Sequence, residues 1–164
     1  MPAPAELNIR PMTQVDILAV VTLITEFSVD DGRLAQDYYE QYFRSGGHGD
    51  EQNHVATIGE VVVGVTGLYP DKYDWPGILW LNWFYVSSSY RRRGIGGSLL
   101  DFTIKTAESL GCRKLYLDTS SDSDYAAAVA KYEKSGFVRE GELRDYYAKG
   151  DHYLIYGLSL SADG

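Results

Sequence analysis

Tyr90-Arg91-Arg92-Arg93-Gly94-Ile95-Gly96-Gly97-Ser98 lies between an apolar run over residues 78–86 and a helix-like run over residues 99–110. A strand that enters a basic, glycine-rich turn which then opens a helix leaves several backbone N–H groups unpaired. They point one way, with the positive end of the helix dipole behind them. That arrangement cradles phosphate. Gly94, Gly96 and Gly97 are expected to let the backbone approach an anion closely and to take φ > 0 where a nest of amides curls, with Arg91, Arg92 and Arg93 adding charge.

Spacing narrows the choice among nucleotide binders. A Walker loop needs Gly-x-x-x-x-Gly-Lys-Ser/Thr, and no lysine follows these glycines at that distance. A dinucleotide fingerprint beginning at Gly94 would need glycine where Leu99 stands. What remains is Arg-x-x-Gly-x-Gly, from Arg91 to Gly96, after a strand ending in Val86. An ordinary strand-turn-helix corner uses the same residue types, so the loop alone leaves both readings open.

Composition bounds the partners. A chain of 164 residues is the size of one compact domain that buries roughly 70% of its unfolded surface. With 23 acidic against 15 basic residues the net charge is −8, which argues against a general nucleic-acid partner because phosphate backbones need a positive field. An anion site must then be local, as the arginine triplet is; the negative envelope reads first as serving solubility, and it would also favour the approach of cationic amines. The lone Cys112 excludes an intramolecular disulfide and a cysteine-rich metal site. His48, His54 and His152 show no metal-ligand spacing, so no metal is expected. Residues 1–6 are too short and too poor in apolar side chains for a leader or a membrane span, and a reduced, cytoplasmic, membrane-free protein is the expectation.

Outward from the loop, the pattern alternates strands and helices. Residues 7–12 read as a strand, and Thr13-x-x-Asp16 as a cap for a helix whose apolar positions Ile17, Val20, Val21, Ile24 and Phe27 carry it to about Val29. A second helix is expected over residues 34–44, bearing Tyr38, Tyr39, Tyr42 and Phe43 and stopped by Gly46, Gly47 and Gly49. Residues 54–58 and 61–68 flank Gly59-Glu60 as a β-hairpin, and residues 69–77 form a turn-rich loop before the strand over 78–86. Gly111 caps the helix after the glycine loop. A short strand over 114–118, a helix over 124–135 and two strands over 137–148 and 152–160 complete the chain. The order β α α β β β α β α β β predicts an α/β (α+β) fold, with a mixed sheet and helices on both faces.

Ala128-x-x-x-Tyr132-Glu133-Lys134-x-Gly136-Phe137 adds a second motif. With Arg91-x-x-Gly94-x-Gly96, the preceding Trp83-Phe84-Tyr85-Val86 and the element order, the chain resembles the GNAT N-acetyltransferase superfamily over about residues 7–160. The resemblance implies a single domain over 1–164, with a mostly antiparallel twisted sheet of about seven strands and about four helices. It also implies acetyl-CoA as cofactor, with the pyrophosphate held by Arg91, Arg92, Arg93, Gly94, Ile95, Gly96, Gly97 and Ser98, mainly through main-chain amides. Backbone groups of the strand Phe84, Tyr85 and Val86 would pair with the pantetheine, with Tyr125 and Lys134 as further cofactor contacts. Tyr125 stands where relatives often carry asparagine, and Lys134 reads first as a solvated helix lysine.

The chemistry such a family performs sets the remaining roles. A lysine-like amine has a pKa near roughly 10.4 and must lose a proton before it attacks a thioester, while the departing thiolate gains from a proton donor. The resemblance places the Tyr132 hydroxyl at the sulfur, although Tyr125, Ala128, Val129 and Tyr132 also form an ordinary apolar helix stripe. Many relatives place a glutamate base where Asn82 stands, and an amide cannot take the proton. A water chain to another carboxylate, an acceptor of low pKa, or an orienting role for Asn82 remain. Trp80, Asp30 and Tyr38, among neighbouring aromatic and acidic residues, are candidates for an amine pocket. The expected activity is direct acetyl transfer from acetyl-CoA to a small-molecule or amino-acid-like primary amine. A protein or peptide acceptor is the next reading, and a non-catalytic acyl-CoA sensor the alternative from another class. Pairing of two copies through the C-terminal strands is compatible with this order.

Overall fold

The structure, a computed structural model, describes residues 6–160. Residues 1–5, on which most of the expectation about a leader rests, lie outside the described residues, as do residues 161–164. Seven strands are present among the described residues: β1 (Leu7–Pro11), β2 (Gln52–Ile58), β3 (Val61–Tyr69), β4 (Ile78–Val86), β5 (Lys114–Ser120), β6 (Val138–Ala148) and β7 (Asp151–Ser159). Four α-helices accompany them: α1 (Ile17–Thr25), α2 (Val29–Ser45), α3 (Ile95–Ser109) and α4 (Ala126–Lys134). The strand order is β1-β2-β3-β4-β5-β7-β6. β1 with β2, β2 with β3, β5 with β7 and β6 with β7 are antiparallel, and β4 with β5 is parallel over Ile78, Leu79 and Trp80. The α/β class and the element order expected from sequence are both found.

Two compact units divide the chain: one runs to Pro70 and includes Asn82–Ile104, the other comprises Asp71–Leu81 and the residues from Lys105 onward. In the first unit, Val20, Leu23 and Ile24 of α1 and Ala35 and Tyr39 of α2 bury against Val55 and Val65 on one sheet face. Ile95 and Leu99 of α3 bury against Ala56 and Val63 on the other. Val55 and Ala56 are neighbours in β2, so they serve opposite faces, as the period of two requires. A buried hydroxyl pair, Thr66 of β3 and Thr103 of α3 at 2.7 Å, pins α3 to its sheet.

Two helix boundaries differ from expectation. α1 ends at Thr25 rather than near Val29, and α2 begins at Val29 rather than Leu34. The cause is Ser28, whose hydroxyl accepts the Asp31 N–H at 3.1 Å while Asp30 and Asp31 sit in the first turn, where the helix dipole favours negative charge. The left-handed Gly46 ends α2 as expected.

Thr13 and Asp16 form the expected cap, a capping box at the helical turn that leads into α1, and Asp16 does more besides. The buried Asp16 carboxylate accepts the Thr13 N–H at 2.8 Å, the Thr13 hydroxyl at 3.0 Å and both guanidinium nitrogens of Arg10, at 2.8 and 2.9 Å. The Arg10 bonds, then Thr13, hold the carboxyl down at about 2, against an ordinary 3.8, with burial opposing them. Because the folded pKa is the lower one, this stabilisation is present above about pH 4 and fades as pH falls toward 2. Asp16→Asn is therefore expected to destabilise the protein at pH 7 by on the order of 2 kcal/mol. Thermal melts should show the gap from wild type closing near pH 2; equal melting temperatures at pH 7 would contradict this.

Candidate active site

β4 delivers the glycine loop. After Val86 a single 3-10 turn (Ser88–Tyr90) bends the chain, with the Tyr90 N–H donating to the Ser87 carbonyl at 2.9 Å. Left-handed residues follow at Arg92 (φ 62°) and Gly94 (φ 77°), and α3 starts at Ile95. Here the sequence reading needs correction: Gly96 and Gly97 lie inside the first turn of α3, and the second positive φ belongs to Arg92. The Ser98 N–H makes a helical bond to the Gly94 carbonyl at 3.0 Å. The amides of Ile95, Gly96 and Gly97 occupy the turn in which an α-helix supplies no acceptor of its own. A Cβ placed on Gly94 or on Gly97 would meet nothing within 4 Å. The space in front of the helix start is open, and the absence of side chains at these positions keeps it so.

Two of the three arginines rest on aromatic rings. The Arg91 guanidinium lies 4.4 Å from the Phe27 ring centre, and that of Arg93 lies 5.0 Å from the Tyr90 ring. Glu26 accepts from the Ser88 hydroxyl at 2.8 Å and from its N–H at 3.2 Å. The helix junction thus grips the approach to the loop, leaving anion binding to main-chain amides with charge nearby.

Trp83 has φ 47°, which breaks the alternation of β4. Phe84 and Val86 pack toward α3, whereas Trp83 and Tyr85 pack toward α1 and α2. The Tyr85 hydroxyl donates to Asp31 at 2.9 Å, and its ring lies 5.2 Å from Phe27. Asn82 faces the Tyr38 phenol of α2. Tyr38 donates to Glu51 Oε1 at 2.8 Å and accepts from Asn53 Nδ2 at 3.1 Å. Glu51 Oε2 accepts the His48 N–H at 2.8 Å. A Cβ on Gly67 would come within 2.5 Å of Asn53 Oδ1 and 3.2 Å of the Asn82 carbonyl, so the bare backbone of β3 is what lets this cluster close. Burial, reinforced by Glu51, pushes the Tyr38 phenol well above its ordinary range, against the opposing amides. Asp30 stands outside this cluster, exposed and 3.9 Å from Arg33, while its neighbour Asp31 reaches β4. Tyr42 stacks on Tyr38 at 6.3 Å, and Tyr39 is core.

The other unit holds the second motif. Tyr132 is buried on α4 with its ring 6.0 Å from Phe137 in an edge-on contact. Burial first, and Asp118 second, raise its phenol far above the usual value, so its proton stays in place through the neutral range. Tyr125 sits at the N-cap of α4 and Lys134, exposed, at its end. Trp80 Nε1 donates to Asp74 Oδ2 at 2.7 Å, and its ring lies 5.1 Å from Tyr116. Cys112 is buried, its thiol donating to the Lys114 carbonyl at 3.1 Å, an environment for packing and not for carrying an acyl group. Among the described residues no group of three His, Cys, Asp or Glu is placed to hold a metal ion.

Glu51 is the site residue that sequence reasoning missed. It stands in a polar loop after Gly46, Gly47 and Gly49, where a carboxylate reads as solvated, and only the fold brings Tyr38 to it.

Known proteins agree with this architecture. The Acetyltransferase (GNAT) family model matches residues 19–137 of the 164. The spermine/spermidine N(1)-acetyltransferase of Bacillus subtilis is 31% identical over 80 residues, 47% of this chain and 51% of that protein. The ribosomal protein bS18-alanine N-acetyltransferase of Escherichia coli is 36% identical over 79 residues, 46% of this chain and 52% of that protein. The chain thus spans about half the length of the curated relatives it matches. A solved chain from Desulfovibrio desulfuricans, assigned to the GNAT family, superposes with a TM-score of 0.86 at 24% identity, over 94% of this chain and 99% of that one. On the family match over most of its length, the chain belongs to the GNAT acetyltransferase family.

Proposed function

We propose that the protein is one acyltransferase domain, cytoplasmic, that moves an acetyl group from acetyl-CoA to the primary amine of a small or amino-acid-like molecule. The amide cradle at the start of α3, with open space before Gly94 and Gly97, carries this reading. It fits a diphosphate in charge and in room. The main-chain amides of Arg93, Gly94, Gly96 and Gly97 would hold that diphosphate, and backbone groups of Phe84 and Val86 the pantetheine arm. When bound, acetyl-CoA supplies an acetyl group already activated as a thioester.

The remaining work falls to side chains of this chain. Tyr132 keeps its proton until a thiolate leaves, and then donates it. Asn82, on β4, orients the amine. The net charge of −8 favours a cationic acceptor, as does the likeness to the Bacillus subtilis spermine/spermidine enzyme. A protein N-terminus is the second reading, favoured by the likeness to the Escherichia coli enzyme that acts on ribosomal protein bS18. Pairing of two copies along β6, whose Val138, Leu143, Tyr146 and Tyr147 are exposed, belongs to the same proposal and is read out by light scattering.

Thiol release from acetyl-CoA across a panel of polyamines, amino acids and peptides tests the activity. Turnover on at least one amine is expected. Strong thermal stabilisation by acetyl-CoA with no turnover on any would favour a sensor instead.

A further inference from the structure

Acetylating an ammonium group requires a proton acceptor, and Asn82 offers none. The face of β4 that carries Asn82 is nevertheless wired to a carboxylate. We infer that Glu51, acting through the Tyr38 phenol, is the outlet for the acceptor's proton. This rests on the acetyl-transfer reading above, with Asn82 beside the amine. The 2.8 Å bond from the Tyr38 hydroxyl to Glu51 Oε1 commits the phenolic proton to the carboxylate and leaves the oxygen's lone pairs facing away from it. Asn53 Nδ2 takes one lone pair at 3.1 Å, and the Asn82 amide lies at the other, toward β4, the place that the amine takes over when Asn82 turns to orient it.

The transfer balances without any further reactant. An N–H bond of the ammonium breaks and its proton bonds to the Tyr38 oxygen, while the original phenolic proton moves to Glu51 Oε1. Glu51 then releases it to water. The second proton lost by nitrogen replaces the one that Tyr132 donates to sulfur. The phenol never carries a full negative charge, as its burial demands. Glu51 is held for this purpose by the His48 N–H on its other oxygen and is only half-buried, which leaves a route to solvent.

The titratable groups around Tyr38 are Glu51 from the loop before β2 and Tyr39 and Tyr42 from α2. The nearest rival pair on the same face of β4 is Tyr85 with Asp31.

The test is the pH profile of kcat/KM for the amine, from pH 6 to 10, in wild type, Glu51→Gln, Tyr38→Phe and Asp31→Asn. Glu51→Gln keeps the side chain's shape and one of its two acceptors, and Tyr38→Phe keeps the ring, so each can fold where the other fails. Either is expected to lose on the order of 10²-fold at pH 7, with the loss shrinking to a few-fold near pH 10, where the amine arrives with less need of a base. KM for acetyl-CoA should stay within about twofold. An equal loss at every pH, no loss, or a pH-dependent loss in Asp31→Asn in its place would overturn the assignment. Wild-type protein that acetylates no amine would sink the activity itself, whereas active wild type with an indifferent Glu51→Gln sinks only the outlet.

Discussion

Tyr132→Phe is expected to lower kcat by about 10²–10⁴-fold while leaving KM for acetyl-CoA nearly unchanged. A thiolate forming in a dry site is a strong base, and a donor whose own proton is secure at neutral pH is suited to it. Burial and Asp118 give Tyr132 that property. The ring's edge-on contact with Phe137, 6.0 Å between centres, survives the substitution, so the fold should lose no more than about 1 kcal/mol, the scale of one hydrogen bond. Steady-state kinetics with a melting curve separate the cases. A kcat within a few-fold of wild type would remove Tyr132 from the chemistry, and a collapse of the melting temperature would make its role structural.

Gly97→Ala is expected to do the opposite to stability and to binding. Residue 97 lies in the first turn of α3 with helical backbone, and nothing stands within 4 Å of the position a Cβ would take. Alanine in a helix is favoured over glycine by up to about 1 kcal/mol, so the melting temperature should hold or rise. If the start of α3 holds the diphosphate as proposed, the added methyl group takes up room in that open space. Losing two charge-assisted amide bonds, each worth about 1.5–3 kcal/mol, should weaken acetyl-CoA binding by 10²-fold or more. A more stable protein that binds acetyl-CoA as before would show that the start of α3 is merely a helix start. At Gly94, where φ is 77°, any side chain adds backbone strain to the same test, which makes Gly97 the cleaner position.

Legibility followed sequence distance. The strand Ile78–Val86 and the Gly59-Glu60 hairpin turn are local patterns, and each stands where the residues imply. The left-handed Arg92 is not legible, because arginine carries no preference for that conformation and three glycines stand close by to take it. Nor is the φ of 47° at Trp83, a bulky residue in an otherwise regular strand. The break at Ser28 was available, since a serine followed by two aspartates marks a helix start, but the apolar period running through Phe27 masked it. The Tyr38–Glu51 pair needed the fold itself: the two residues sit on separate elements, and a tyrosine-rich helix reads first as core.

Calorimetric titration of the protein with acetyl-CoA bears most directly on the whole account, since the cradle at α3 underlies both the transfer chemistry and the proton outlet. One saturable site with a dissociation constant well below a millimolar is the predicted result, weakened in Gly97→Ala. No heat and no saturation at millimolar acetyl-CoA, from protein that melts cooperatively, would contradict it.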